Sequence, residues 1–425
     1  MQGVYVPEGW GQFWLPKLAA AQAGTGKAAL AIPGDSVTQG CYASTFPQGW
    51  AGLLGLDLRG ANGSADDGGS GFNGAANSPT YITTLASASV AANYASSLWS
   101  LTGTWTVQSP SLSNSNFYAD GPGSIQLMGA AGATATTTVR GTTVTVYVFR
   151  VANIAQTATL TIDGVDNAIT IPSVATGTIL AFSFAVGAGN HTLKFTVNSV
   201  GSGTVVYLCG FSGENASGLV VNNFAASGVC SNVYSNVTGN QSTINGATTS
   251  TGSGTLGPAG LWSGGPAYPA DLVVYPLGLN DVNNARTVDR FAHDLSTYLQ
   301  GLKNGGTYNG IAYSPNGQTE VLLVSPFYGN FGNVQTSRFG PEYALRTRSV
   351  AAHFNAAHVD LNVLWRNSYA YAQGLGYMAV ASGATPGASG SDPCHLSDPG
   401  HAAQRSAILP VVLGKVGAQT LPVIR

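Results

Sequence analysis

The feature that most constrains this chain is a change of apolar texture, from continuous runs to alternating ones and back again. Residues 27–33 read KAALAIP, a short unbroken apolar run that ends at a Gly-Asp-Ser turn. Much later come SGLVVNNFAASG, DLVVYPLGLND, EVLLVSPF and HVDLNVLW. Each holds an apolar run too short for a helix, the pattern of a strand covered on both faces. Between them, residues 95–211 carry TVTVYVFRV, ATLTIDGV, ILAFSFAV and HTLKFTVN, which alternate apolar and polar at period two. Turn residues at Asp163-Gly164 and at 187–190 punctuate these segments, so they predict an antiparallel β-sandwich.

Helical spacing appears between the later runs, over residues 288–302 and 341–357. A last helix is predicted to begin near Pro399, with proline in its first turn, and to run through Leu409. Strands alternating with helices and joined by right-handed crossovers predict an α/β fold with a doubly wound parallel sheet. The β-rich block then interrupts that fold, dividing the chain into residues 1–92, 93–213 and 214–425. Residues 60–79, dominated by Gly, Asn, Ser and Asp, read as an exposed loop.

Composition removes several function classes. The chain has 425 residues, 44% hydrophobic and only 8% charged, with a formal net charge of -2. That supplies no field to draw in nucleic acid or an anionic membrane. No apolar run reaches the roughly 18 residues of a membrane span, so no membrane insertion is expected. The first 14 residues lack a basic segment followed by an apolar one, and do not read as a signal peptide. A surface of Gly, Ser, Thr, Asn and Ala suits a secreted or particle-borne protein, so an extracellular or virion-associated setting is expected. Cysteines at 41, 209, 230 and 394 form no CxxC pair, and no zinc site is predicted. Cys209 with Cys230, and Cys41 with Cys394, read either as pairs or as buried free thiols.

Three segments fall at predicted strand ends, where sites in doubly wound sheets lie. In Gly34-Asp35-Ser36, a serine on a tight turn before a helix can expose its hydroxyl. In Gly278-Leu279-Asn280-Asp281, the Asn280 amide can donate to an oxyanion, or equally close an Asx-turn. In Asp392-Pro393-Cys394-His395, a carboxylate three residues before a histidine can hold the ring in one tautomer, leaving its other nitrogen to act as a base. Asp398, before Pro399, reads as a helix N-cap, and His401 as a packing residue inside that helix.

The order of these segments resembles the SGNH (GDSL-like) hydrolase family, over roughly residues 27–90 and 215–415. The resemblance implies a flavodoxin-like three-layer α/β/α sandwich and ester hydrolysis through a Ser-His-Asp triad, without metal or cofactor. Carried over residue by residue, Ser36 is the nucleophile, His395 its base and Asp392 the orienter of His395. The oxyanion hole would be built from the Ser36 backbone, the Asn280 side chain and Gly228, whose neighbours match no distinctive pattern. Cys394 stands where the family often has an apolar residue.

The inserted block resembles jelly-roll modules of carbohydrate-esterase members, which implies an acetylated or otherwise short-acylated glycan, or a small acyl ester, as substrate. The low charge and N-terminal texture resemble SGNH domains of phage tail proteins. Two other readings stay open: a lipase or thioesterase on the same scaffold, and a non-catalytic glycan-binding tail module. Phosphoryl transfer has no Gly-rich phosphate loop to support it. Among residues set aside, His353 and His358 lack the spacing of a helical zinc pair, and His191 reads as part of a turn. Trp99 and Trp105 read as core or as sugar-stacking residues.

Overall fold

The computed structural model describes residues 3–40, 42–44, 48–59, 68–74, 99–108, 126–150, 153–173, 178–203, 205–223, 225, 230–231, 270–283, 286–304, 306–308, 311–313, 318–327, 329–330, 334–380 and 391–418. The unbroken apolar runs become five parallel strands: Lys27–Ile32, Gly218–Asn223, Leu272–Tyr275, Glu320–Ser325 and Ala357–Asp360. Numbered along the chain, they lie in the order 2-1-3-4-5 across the sheet, and Val4–Tyr5 adds an antiparallel edge.

Both faces of this sheet are covered, which is why its strands are apolar at successive positions rather than alternate ones. Leu30, Ile32, Leu272, Val274, Leu322 and Val324 face a core closed by helices Trp14–Gln22, Trp50–Arg59 and Asp398–Val412. Their neighbours Ala31, Val273, Tyr275, Val321 and Leu323 face the opposite core, under helices Val288–Asn304 and Val334–His353. A fully buried Leu or Val stabilises by about 1.5–3 kcal/mol relative to exposure, so each strand serves two cores at once. Among the described residues, no helix is long and apolar enough to cross a membrane.

The alternating segments form two antiparallel sheets around one shared core. Five strands run in the order Val165–Ile171, Gln156–Ile162, Asn190–Ser199, Thr134–Arg140 and Trp99–Thr102. The other sheet orders Thr178–Ala185, Thr143–Arg150, Val206–Glu214, Gln126–Gly129 and Trp105–Gln108, with Gly71–Gly74 also pairing to Val206–Glu214. Leu160, Leu193 and Phe195 from the first sheet meet Val146, Leu208 and Phe211 from the second. The Asp163-Gly164 turn has φ of 49° and 87°, the paired left-handed conformation that two-residue hairpins require.

Several local expectations change. Within residues 60–79, the described stretch 68–74 is not an exposed loop but a packed connector ending in strand Gly71–Gly74. Its glycines answer to space: a Cβ at Gly68 would lie 2.5 Å from the Leu219 carbonyl carbon, and one at Gly69 2.4 Å from the Gly213 oxygen. The helix expected over 341–357 runs instead over Val334–His353, with Pro341 inside it, and residues from Ala357 onward form a strand. His191 is no turn residue but the buried second residue of strand Asn190–Ser199. Its Nδ1 meets Asp163 Oδ2 at 2.6 Å, and its Nε2 donates to the carbonyls of Gly187 (2.9 Å) and Gly141 (3.1 Å). The Asp163 contact holds His191 above its ordinary pKa. Trp105 is buried and donates to Thr102 and Thr134 carbonyls, a core role, whereas the side chain of Trp99 lies outside the described set. No disulfide links Cys209, Cys230 and Cys394 to one another, and Cys41 lies outside the described residues.

Candidate active site

The strand order sets where a site can form. The chain leaves the first parallel strand toward one edge and the third toward the other, and such a reversal opens a crevice at the carboxyl ends of the two strands. Lys27–Ile32 and Leu272–Tyr275 are direct neighbours, with Ala31 opposite Val273. Ser36 follows the first strand by four residues, and Asn280 follows the third by five. Both are therefore delivered to one crevice.

Ser36 opens the short helix Ser36–Gln39, capped by Asp35, whose Oδ1 accepts from the Val37 N–H at 3.0 Å. Gly34 is required there, because a Cβ would lie 2.4 Å from Thr38 Oγ1. From the neighbouring strand end, Asn223 Nδ2 donates to the Thr38 carbonyl at 2.8 Å and fixes the helix from below.

His395 arrives on strand Ser391–Leu396, which pairs with Met378–Val380. Its Nε2 lies 2.9 Å from Ser36 Oγ, and both side chains are nearly enclosed, at 4% and 5% exposure. Two long-range ties hold their segments together: the Ser44 N–H donates to Asp398 Oδ1 at 2.8 Å, and the Trp50 N–H to His401 Nδ1 at 3.4 Å. Asp398 is thus no N-cap. Ser397 caps the helix, its Oγ accepting from Gly400 N–H, while the Asp398 carboxylate clasps the Ser36 loop. His401 is fully buried inside that helix. Tyr42 stacks on the His395 ring at 5.3 Å between centroids and 29° between planes. It does so with φ of 65°, a left-handed conformation that a bulky residue adopts only when its surroundings impose it.

Asn280 lies half-buried in the helical turn Leu279–Asn283. The next residue, Asp281, is completely enclosed and accepts from both Ser231 N–H (2.9 Å) and Ser231 Oγ (2.7 Å). Arg286 Nε pairs with Asp281 at 2.9 Å, and its Nη2 binds Asp294. Burial pushes the Asp281 carboxyl above its ordinary pKa, against the pull of Arg286. This network anchors the Asn280 turn to the segment at 230–231.

Of the remaining sequence expectations, Asp392 has its backbone in strand Ser391–Leu396, and its side chain is outside the described set. Gly228 lies outside the described residues altogether. His353 is exposed while His358 is buried, so the two do not converge, and no metal-binding cluster occurs among the described residues. His358 instead meets Ser325 Oγ at 2.6 Å between adjacent strands. Burial, with Arg348 nearby, depresses its pKa to about 3, which marks a neutral, structural histidine. Sequence reasoning missed Tyr42, Asn223 and the Asp281–Arg286–Asp294 network. Only Asp281 had a local signal, a charged residue directly after Asn280.

Burial pushes the Asp35 carboxyl up to about 6, opposed by the Val37 N–H and by His395. A folded pKa above the unfolded 3.8 gives stability that is present below pH 3.8 and lost as pH rises through about 6. Asparagine caps helices as well as aspartate does. Asp35→Asn is therefore expected to stabilise the protein by up to about 3 kcal/mol at pH 7.5, and by little at pH 4. Urea midpoints at the two pH values check this, and an equal effect at both would refute it.

A peptidoglycan O-acetylesterase superposes over 94% of this chain and 96% of its own, with a TM-score of 0.58 and 15% identity. The two chains share a fold. At this identity the likeness speaks to fold alone. A Bacillus subtilis protein (14% identity, 76% of this chain and 92% of its own, TM-score 0.34) also matches. So does an active-site mutant of a family two carbohydrate esterase from Clostridium thermocellum (12% identity, 75% and 100%, TM-score 0.28). No protein-family model matches the sequence, and neither does any curated protein.

Proposed function

We propose that this protein is a serine esterase of the SGNH type that removes short acyl groups, acetyl above all, from a polysaccharide or cell-envelope glycan. The observation that carries the reading is the 2.9 Å contact between Ser36 Oγ and His395 Nε2 at the reversal point of a 2-1-3-4-5 sheet. In the first step His395 Nε2 accepts the Ser36 proton as Oγ bonds to the acyl carbon. The bond to the glycan oxygen then breaks, and that oxygen leaves with the proton from His395. Water attacks the acyl-Ser36 ester, gives a proton to His395, and releases the carboxylic acid as Ser36 is reprotonated.

Asp392 is assigned to hold the His395 ring through its other nitrogen, with Tyr42 stacking to limit ring tilt. The Ser36 N–H, the Asn280 side chain and Gly228 are assigned to the developing oxyanion. Residues 1–92 and 214–425 are assigned to a flavodoxin-like α/β/α sandwich, and 93–213 to an inserted jelly-roll-like β-sandwich. Two antiparallel sheets around one core support that division. A chain with only 8% charged residues accords with an extracellular or virion-associated setting.

Acetate release from acetylated xylan or an O-acetylated bacterial wall glycan, compared with hydrolysis of long-chain p-nitrophenyl esters, tests the reading. Short-acyl glycan esters are expected to be preferred. Preference for the long chains would instead indicate a lipase or thioesterase.

A further inference from the structure

The loop that follows the Ser36 helix is pinned on both sides of Tyr42. Gly40 closes the helix with φ of 90°, the Ala43 N–H donates back to the Gly40 carbonyl at 3.0 Å, and the Ser44 N–H reaches Asp398. Between these ties Tyr42 takes φ of 65°, and its half-buried side chain lies stacked on the His395 imidazole. A conformation this costly for a bulky residue persists only where the surrounding structure imposes it, and such positions cluster at working sites. In ester hydrolysis the imidazole is neutral at rest, takes the Ser36 proton at Nε2, and stays an imidazolium until the leaving oxygen removes that proton. His395 is nearly enclosed, so little water reaches this charge. Among the described side chains, the titratable groups around it are Asp35 at the helix cap, itself within reach of Asp281, and Cys394, whose Sγ lies 3.5 Å from Nδ1. Asp398 and His401 are tied to the same loop from the last helix.

We infer that Tyr42 is a positioning residue whose ring face stabilises the imidazolium form of His395, an inference that rests on the esterase reading. The face of an aromatic ring carries negative charge density and attracts a cation within about 6 Å of its centroid, most strongly where water is excluded. At 5.3 Å between centroids and 29° between planes, the two rings are within that reach. A neutral imidazole gains less from the same stack, so the contact strengthens as the proton moves from Ser36 to Nε2. An interaction stronger in the transition state than in the resting enzyme raises kcat rather than lowering KM. Tyr42 thus acts on the charge of the base as well as on its tilt.

Changing the ring face tests this. Tyr42→Leu is expected to lower kcat for p-nitrophenyl acetate about tenfold with KM little changed, and to move the acid limb of the pH–rate profile about one pH unit lower. Tyr42→Phe keeps the face without the hydroxyl and is expected to rescue both. Phenylalanines carrying one to five ring fluorines at position 42 drain charge from the face at nearly constant size, so the limb should fall stepwise along the series. That series gives the answer even where the leucine variant does not fold. Because the Asp35 carboxyl, pushed up to about 6, also titrates beside the site, the proton is followed on His395 itself through its Cε1–H resonance. The midpoint of that resonance should move in step with the limb. A limb and midpoint unmoved in Tyr42→Leu, a flat fluorine series, or a loss in Tyr42→Phe equal to that in Tyr42→Leu would overturn the inference. The resonance needs no turnover. A midpoint that follows fluorination in a protein without esterase activity would leave the stack standing and overturn the esterase reading instead.

Discussion

Ser36→Ala is expected to lower hydrolysis of p-nitrophenyl acetate by about 10⁴-fold or more, because no acyl-enzyme can then form. Among the described residues the geometry offers no ready substitute. The other buried Ser–His contact, Ser325 with His358, is enclosed between adjacent strands, at 0% and 1% exposure, with the imidazole held neutral. Asn280→Ala should behave differently. Removing one oxyanion donor leaves nucleophile and base in place, so a loss of about 10²–10³-fold in kcat is expected. Labelling by a fluorophosphonate probe separates the cases: the Asn280 variant should label slowly, and the Ser36 variant not at all. Ordinary activity in Ser36→Ala would end the assignment.

The second large effect concerns stability. Arg286→Met removes the cation that lies between Asp281 and Asp294, leaving two carboxylates at 0% and 4% exposure without it. Breaking such a buried network from one side costs about 3–5 kcal/mol, chiefly because uncompensated charge remains. The deficit should depend on pH in a definite direction. Without Arg286, the Asp281 carboxyl rises further above its ordinary pKa, and a group raised in the folded state favours it only when protonated. The variant should therefore fall furthest behind wild type near pH 8 and recover ground toward pH 4. Denaturation midpoints across that range measure it, and a deficit independent of pH would contradict the buried-charge account. Because Asp281 adjoins Asn280 and holds Ser231, kcat should fall as well, even where the variant is folded.

The sequence by itself determined the parts that depend on near neighbours. Unbroken and alternating apolar runs distinguish strands buried on two faces from strands buried on one, and those runs marked the parallel strands and most of the antiparallel ones. The Gly34-Asp35-Ser36 turn was legible because glycine, cap and helix start lie within a few residues of one another. Local pattern misled where the cause was distant. The glycines at 68–71 looked like an open loop, but they are small because other strands press against them. Asp398 looked like a cap, and its carboxylate instead reaches 354 positions back to Ser44.

The approach of His395 to Ser36 across 359 positions was decided only by the tertiary structure. It depends on a strand order that brings two carboxyl ends together and on the two ties from residues 44 and 50 to 398 and 401. The same holds for Arg286 between two aspartates and for Tyr42 on the imidazole. Hydrogen bonds and ion pairs act over a few ångströms of space and are indifferent to separation along the chain. A single sequence therefore records which groups are present, and folding decides which of them meet.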